Sequence, residues 1–373
     1  MAEKSIKKEP LMRIAKRSDI PKKKAYLIRA IALLLALVVC GVFIYALTKT
    51  NPIKVYIGMI DGAIGTNRRM WNTLRDTMIL LAVSLAITPA FKMRFWNIGG
   101  EGQILVGGIA TAAIMRYMGE TLPSPVLFGV MVIVSLIAGM VWGIIPAFFK
   151  ARYNTNETLF TLMMNYIAIQ FTSYFCIIWE SLKGSGTIGT INQDTGAGWI
   201  PTTFLSGIFG NFNYSINVIL VLVLTVLMAF YLKKTKHGYE IAVVGESENT
   251  ARYAGINVKK VIIRTMALSG ALCGLTGFLL VSGSSHTIST STTGGRGFTA
   301  IIVSWLAKFN PYIMILISFL LVFLDNGAIQ IASQFGLNES AAEVITGIIL
   351  FFLIGCEFFI NYRVIFRGKH EEA

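Results

Sequence analysis

The longest polar passage between the first and last apolar runs of this chain is HGYEIAVVGESENTARYAGINVKK, residues 237–260. Apolar runs of about 20 residues lie on both sides of it, which is the length that crosses a bilayer as a helix. The passage must therefore lie outside the membrane between two spans, and its composition raises the question of what it contacts there.

The bulk composition identifies the class of protein. Of 373 residues, 54% are hydrophobic and 14% are charged, whereas soluble proteins carry about a quarter charged residues. We predict an all-α polytopic membrane protein with about ten transmembrane helices. The domain prediction is a basic cytoplasmic tail at 1–26, one transmembrane domain at 27–362 containing the loop 233–260, and a cytoplasmic tail at 363–373. The predicted spans are 27–48, 73–91, 98–118, 124–149, 157–179, 214–232, 261–283, 297–308, 311–333 and 342–361.

The net charge of +14 follows the membrane topology. Ten of the 33 Lys and Arg lie between Lys4 and Arg29, before or at the start of the first span. This asymmetry fits the positive-inside rule and attraction to anionic lipid, with both termini cytoplasmic. A nucleic-acid-binding patch is the weaker interpretation, so no nucleic-acid partner is expected.

Residues 49–72 fit this topology poorly, because they would lie outside the membrane while carrying four basic residues. The spacing of Ile53, Ile57 and Ile60 predicts an amphipathic helix at the membrane surface. A miscounted span is the alternative. The longest outer connection, 180–213, is rich in Gly, Ser, Thr and Asn, and is either a docking surface for an external partner or a solvated loop.

Two segments combine glycines with polar residues at helix mouths: RFWNIGGEGQILVGG at 94–108 and STTGGRGFTAIIVSWLAKFNP at 291–311. Irregular backbone at membrane depth is tolerated only where it faces protein or a water-filled cavity. The two breaks lie five spans apart, so their helices would run in opposite directions. We predict an inverted pseudo-repeat of spans 2–5 and 7–10 around a transport pathway. The alternative is that these glycines only allow close helix packing.

Polar residues recur near the helical period in two predicted spans, and they would be costly if they faced lipid. They predict polar stripes that line a cavity or, alternatively, bond to neighbouring helices. The stripes are Thr158, Thr161, Asn165 and Thr172 in the fifth span, and Asn326, Gln330 and Gln334 beside Asp325 in the ninth.

The passage 237–260 contains the signals of a short helix. Ser247 can cap its start, Glu248 suits the positive end of the helix dipole, and Gly255 can take the left-handed conformation that ends it. Two turns, about 10 Å, are marginally stable alone in water. We expect this helix to pack against another surface through Ala251, Tyr253 and Ala254; the alternative is that a two-turn helix in a loop is only a connector.

Four segments carry a resemblance to a known family: GYEIAVVGESENTARYAGINVKKVIIRTMALSGALCGLTGF, FWNIGGEGQ, GRGFTAIIVSWLAKFNP and ITGIILFFLIGCEFFINYR. Together they resemble ABC importer permeases of the branched-chain amino acid/ribose type, in the simple-sugar and nucleoside branch that works with basic-membrane-lipoprotein-type binding proteins. The resemblance covers residues 70–363 and implies a type II ABC importer-like fold. It also implies a bacterial cell (inner) membrane location.

The resemblance further implies a coupling helix seated in a groove of a cytoplasmic ABC ATPase. A second, different permease subunit and an extracytoplasmic substrate-binding lipoprotein are the other implied partners. No catalytic residue, metal site or cofactor is expected in this chain, and ATP and Mg belong to the ATPase. The coupling-helix residues are Glu246, Ser247, Glu248, Asn249, Thr250, Ala251, Arg252, Tyr253, Ala254 and Gly255. The pathway candidates, from the resemblance and the stripes, are Asn97, Glu101, Gln103, Thr161, Asn165, Phe298 and Asn326.

Two other functions remain as alternatives to nucleoside or sugar import. An ion-gradient-driven transporter of a polar solute would require an ionisable group deep in the bundle, for which Asp325 is the main candidate. An intramembrane enzyme would require a nucleophile–base pair or a metal-ligand cluster, and the sequence shows no such motif.

Overall fold

The computed structural model describes residues 12–17, 20–49, 51–201, 214–336 and 339–366. These residues form thirteen helices, one π-helical turn at Val281–Ser285 and two short strands. The strands are β1 (Met12–Lys16) and β2 (Tyr362–Phe366). The helices are α1 (Lys22–Thr48), α2 (Pro52–Ile64), α3 (Asn67–Lys92), α4 (Gly100–Met118), α5 (Ser124–Tyr153), α6 (Glu157–Ile178), α7 (Ser215–Lys234), α8 (Lys236–Glu246), α9 (Glu248–Tyr253), α10 (Val258–Leu280), α11 (Arg296–Leu306), α12 (Pro311–Phe335) and α13 (Glu339–Asn361).

The predicted all-α membrane fold is confirmed, but the count of ten spans is not. Within the described ranges, eight helices are long and apolar enough to cross a bilayer. The third and eighth predicted spans correspond to α4 and to α11, and α11 has only 11 residues. The eight candidates are Lys23–Leu47, Asn67–Lys92, Ser124–Tyr153, Glu157–Ile178, Ser215–Lys234, Val258–Ser285, Pro311–Phe335 and Val344–Asn361.

The chain divides into two compact units. The bundle unit is residues 66–322, and the terminal unit contains the residues before 66 and after 322. The predicted single domain over 27–362 and the inverted repeat stay predictions.

The centre of the bundle unit is a contact of α10 with α4 and α5 in which glycines replace side chains. A Cβ at Gly107 would lie 2.6 Å from the carbonyl oxygen of Gly274, and one at Gly139 would lie 2.7 Å from the Gly274 Cα. Such spacing leaves no room for a methyl group on either partner. Small residues let membrane helices approach until their backbones touch. At this contact the glycines therefore serve close helix packing, which was the alternative interpretation of the glycine-rich segments.

The terminal unit is built on α1 and α13, which are joined by an ion pair between Arg29 and Glu357 at 2.5 Å. Helix α2 packs its buried stripe against the second half of α12, where a Cβ at Gly327 would lie 3.1 Å from the Met59 Cβ. The predicted helix within 49–72 is thus present. Its isoleucines form the opposite face, with Ile53 65% exposed and Ile57 61% exposed, while its place at the membrane surface stays a prediction.

The terminal segments form more structure than the predicted tails. Strand β1 pairs antiparallel with β2, and α1 begins at Lys22 rather than at 27. The apolar periodicity does not predict these strands. Each has only five residues, which is too few for a clear pattern, and its pairing partner lies at the far end of the sequence.

Candidate functional site

A single carboxylate joins the two glycine-containing helix starts. Glu101, in the first turn of α4, is 6% exposed. Its Oε1 accepts hydrogen bonds from the Thr293 hydroxyl and from the Gly295 N–H at 3.0 Å, and its Oε2 accepts one from the Gly297 N–H at 2.7 Å. The first N–H groups of a helix have no partner within the helix and carry partial positive charge. Glu101 of α4 therefore caps α11.

The two starts also touch through their backbones. A Cβ at Gly297 would lie 2.7 Å from the Glu101 backbone nitrogen, and one at Gly100 would lie 4.0 Å from the Gly297 Cα. A side chain at 297 would force the two helices apart. The structure thus brings together the two breaks that the sequence pairs, and their irregular backbone faces protein.

The turn before α4 is held by a reciprocal pair of amides. Asn97 donates to Gln103 Oε1 at 3.3 Å and accepts from Gln103 Nε2 at 3.2 Å. Asn97 also donates to Ser269 Oγ of α10 at 3.2 Å. Both amide side chains are 1% exposed. Sequence analysis missed Ser269, for which the only signal is a hydroxyl among the small residues of its span.

The polar stripe of α6 faces the interior, as predicted, and bonds to the same turn. Asn165 accepts from the Gly102 N–H and donates to the Ile98 carbonyl, both at 2.8 Å. Thr161 Oγ1 accepts from the Ile98 N–H at 3.2 Å. Asn165 and Thr161 thus supply hydrogen bonds that the irregular backbone of this turn does not make with itself. For these two residues the second interpretation of the stripe, bonding to a neighbouring element, is correct.

We call this cluster the helix-start joint (residues 97–103, 161, 165, 269 and 293–297), and two predicted pathway residues are not among its members. Phe298 follows the joint on α11 and is 46% exposed. Asn326 belongs to the terminal unit and lies on the part of α12 that packs on α2. Asp325 is exposed on the surface of this single chain, and its predicted inward orientation stays a prediction.

A charged cluster that the sequence analysis did not single out lies next to the joint. Asp76 of α3 accepts from Arg296 Nη2 of α11 at 3.3 Å and also pairs with Arg75 at 3.2 Å. Arg75 donates to the Tyr214 hydroxyl at 3.3 Å. The signal was available, because an Arg–Asp pair inside an apolar span marks a functional or bridging position by default. The Asp76–Arg296 contact ties α3 to the start of α11.

The short helix in the polar passage is present as α9. Ser247 Oγ accepts from the Thr250 N–H at 3.3 Å, and Gly255 has φ of 75°, so the predicted cap and stop are confirmed. Tyr253 is 94% exposed, and Ala254 is exposed beside it. Because α9 has only six residues and its tyrosine ring makes little contact, contacts of other residues must hold it in place.

Those contacts come from the chain itself, which corrects the predicted contact face. Ala251 is fully buried in an apolar cluster that includes Met93 and Phe95 of the turn after α3. It is therefore closed to a partner, because the small side chain seats α9 on its own protein. Next to it, a Cβ at Gly245 would lie 3.3 Å from the Met93 Cα. The residues left open on α9 are Glu248, Asn249, Thr250, Arg252 and Tyr253.

At the other end of α10, the connection after α6 packs on the π-helical turn. His286 stacks on Trp199 with ring centroids 4.1 Å apart, and the Ile200 N–H donates to the Ser282 carbonyl at 2.9 Å. Burial lowers the pKa of His286. The predicted outer connection is thus docked on the chain at Ile191, Trp199 and Ile200, and 202–213 lie outside the described residues.

Comparison with known proteins places the chain in a family. Residues 69–354 match the family of branched-chain amino acid transport system permease components. A guanosine ABC transporter permease protein of Bacillus subtilis is 30% identical over 88% of this chain and 92% of its own length. A glucose ABC transporter permease protein of Haloferax volcanii is 27% identical over 93% and 92%, and a nucleoside ABC transporter permease protein of Lactococcus lactis is 28% identical over 81% and 84%.

Permease components are the translocation subunits of ABC transporters, and a separate ATPase hydrolyses the ATP. They are multi-pass membrane proteins that work with an ATPase and a substrate-binding partner. The apolar helices of this chain and the match over most of its length lead to one assignment. The chain belongs to the family of branched-chain amino acid transport system permease components, which are subunits of ABC transporters.

Proposed function

We propose that this chain imports nucleosides, or a related simple sugar, as the permease subunit of an ATP-driven ABC importer. The relatives that align with this chain over most of their own length have names that give guanosine, nucleosides and glucose as their solutes. The buried amides and hydroxyls of the helix-start joint are groups that bind polyhydroxylated solutes. In the proposed cycle they exchange their mutual hydrogen bonds for bonds to the solute when the two helix starts separate.

The proposal assigns α9 as the coupling helix. Its open face, with Tyr253 and Ala254, would sit in a groove of the ATPase, as a helix seats in a partner groove. Its inner face, through Ala251, rests on Met93 and Phe95. The proposed mechanism is supported by this arrangement, because the same short helix leaves Tyr253 and Ala254 exposed and rests on the turn that leads into Asn97.

The route from nucleotide to solute is then continuous. Closure of the ATPase pair moves α9, the apolar cluster moves the turn 93–99, and Glu101 carries that movement to α11. Nucleotide can shift the permease only as far as it binds one state better than the other. ATP and Mg stay on the ATPase, and no cofactor is assigned to this chain.

The proposed assembly places both termini in the cytoplasm of a bacterial cell. A second, different permease completes the translocation pathway, and an extracytoplasmic lipoprotein delivers the solute. An ion-gradient-driven mechanism is the alternative, and Asp325 is its candidate residue. Binding of nucleosides and sugars to that lipoprotein would identify the solute, since it selects the solute first.

The coupling assignment is tested by substitution on the open face of α9. Ala254→Arg places a long cation where the ATPase would seat, and we expect uptake of labelled guanosine to fall by about tenfold or more, with less ATPase recovered in the purified complex. A buried hydrophobic contact blocked in this way costs about 1–3 kcal/mol. Ala254→Ser, which keeps the small size, is the matched control and should retain uptake. Ala251→Arg is unsuitable, because it would disrupt the chain's own core.

Full uptake by Ala254→Arg with an intact complex would contradict the coupling assignment. Uptake that persists after ATP depletion and collapses with the ion gradient would instead contradict the ATP-driven mechanism.

A further inference from the structure

The two strands of the terminal unit form a ribbon that is continuous with two membrane spans. Strand β2 starts at Tyr362, and the last candidate span ends at Asn361. Strand β1 ends at Lys16, seven residues before the first span starts at Lys23. An extended chain of seven residues reaches about 25 Å at most. Because β2 follows its span without a linker, the ribbon must lie at the membrane–water interface.

The two faces of this ribbon differ in character. Ala15 pairs directly with Arg363, and alternate residues of a strand share a face. Arg13 and Arg363 therefore lie on one face, and both are exposed. Ile14 lies on the other face, together with Tyr362 and its partner position Lys16, while Ile365, the partner of Arg13, lies on the face of the arginines. Ile14 is 59% exposed and Tyr362 is 39% exposed.

The basic character extends past the strands. Arg17 continues the pairing, since its N–H donates to the Asn361 carbonyl at 2.9 Å. Its guanidinium Nε is buried and makes no hydrogen bond within the described part of the chain. Lys23 and Lys24 follow in the first turn of α1, and both are exposed. The described positions 12–17, 20–24 and 361–366 contain no Asp or Glu.

We propose that this ribbon is a binding site for anionic phospholipid. It lies in the plane of the interface with Ile14 and Tyr362 toward the hydrocarbon, and Arg13, Arg17 and Arg363 bind the phosphates. A guanidinium matches phosphate oxygens through paired N–H donors, which a lysine cannot do. An apolar face and a basic face on one element are what hold peripheral segments at anionic membranes.

The site has a structural consequence. The ribbon closes the end of the α1–α13 pair, where Ala25 and Ile360 form a small apolar cluster. Lipid bound to the ribbon therefore ties the first and last spans of the chain together at one surface.

Spin labels on the two faces provide the test. The four native cysteines are all buried, so nitroxide labels attach selectively at Ile14→Cys or, on the opposite face, at Ala15→Cys. The labelled full chain is placed in liposomes with phosphatidylglycerol raised from zero to half of the phosphatidylcholine. As the anionic fraction rises, the label at 14 should become accessible to oxygen and shielded from a water-soluble nickel chelate. The label at 15 should stay accessible to the chelate.

Charge variants separate headgroup binding from simple apolar insertion. The triple variant R13Q/R17Q/R363Q should lose the response, since each basic residue near an anionic surface contributes about fivefold in partitioning. The triple Lys variant should recover part of it, and Lys234→Gln with Lys259→Gln and Lys260→Gln is the charge-matched control that should keep it. Equal chelate access at 14 and 15 would overturn the site. Insertion that is the same in pure phosphatidylcholine, or is unaffected by R13Q/R17Q/R363Q, would also overturn it.

Discussion

The bundle unit contains two helix contacts that are equally tight and are held by different forces. At the contact of α10 with α4 and α5, backbones touch because Gly107, Gly139 and Gly274 have no side chains. At the helix-start joint, the backbones also touch, but Glu101 and Asn165 hold them by hydrogen bonds. The three glycines of the first contact have no side chains that could hydrogen-bond across it, whereas the second contact consists of such bonds.

This difference separates a rigid part from a part that can change. Packed backbones have one arrangement, since any shift opens a gap or creates a clash. Hydrogen bonds to unpaired backbone groups can be replaced by bonds to water or to a polar solute at a small net cost, about 0.5–1.5 kcal/mol for each. We infer that the glycine contact keeps α4, α5 and α10 together through the transport cycle, and that the helix-start joint opens and closes.

The largest expected effect comes from filling the glycine contact. Gly139→Leu would place a side chain against the Gly270 carbonyl and 2.7 Å from the Gly274 Cα. Because both obstacles are backbone, the helices must separate, at a cost of about 3 kcal/mol or more. We expect the variant to be lost from the membrane fraction or to denature at a much lower temperature in detergent.

The same helix offers a matched control for that variant. A Cβ at Gly129 of α5 would meet no atom within 4 Å. Gly129→Leu should therefore accumulate normally and keep its thermal stability. Equal behaviour of the two variants would show that the close approach does not stabilise the bundle.

The next effect concerns the helix-start joint. Glu101→Gln leaves one acceptor oxygen for the three donors that now bind the carboxylate, and hydrogen bonds to a charged group contribute about 1.5–3 kcal/mol. We expect the maximal uptake rate to fall about tenfold or more while the amount of protein in the membrane stays within about twofold. The KM for solute should change less than the rate, because Glu101 holds α11 and is covered by it.

Glu157→Gln is the control for the charge itself. Glu157 is a half-buried carboxylate of α6 that pairs with Lys150 at 2.9 Å, and loss of such a pair costs about 1 kcal/mol or less. If Glu101→Gln and Glu157→Gln lowered uptake equally, the cap on α11 would have no special role.

The comparison also explains what the sequence could and could not predict. Apolar length predicted the helices, and the cap at Ser247 is a local signal that needs no partner. Glycine with polar neighbours marked both helix starts, because such backbone requires protein contact. The bond from Glu101 to Gly297 crosses 196 positions, and no local pattern contains that distance. Ala251 was assigned to the wrong side for the same reason, since a small apolar residue suits an outer groove and the chain's own core equally.

The smallest effect is expected at the turn after α10, which is held by a stacked ring and a backbone hydrogen bond. His286 stacks on Trp199, while its carbonyl accepts from the Ile191 N–H at 2.8 Å. Burial lowers the pKa of His286, so the folded protein favours the neutral ring. As the pH falls below the usual histidine pKa of about 6.5, the unfolded turn takes up a proton that the folded turn resists, and the folded turn loses stability.

We therefore expect the amide of Ile191 to lose protection from hydrogen exchange between about pH 6.5 and pH 5, after correction for the intrinsic rate. His286→Phe keeps the stacked ring and cannot titrate, so its protection should not change over that range. If the wild-type chain and His286→Phe showed the same pH dependence, the loss would come from another group. In that case protonation would not destabilise the turn, and the turn would be rigid in the same sense as the glycine contact.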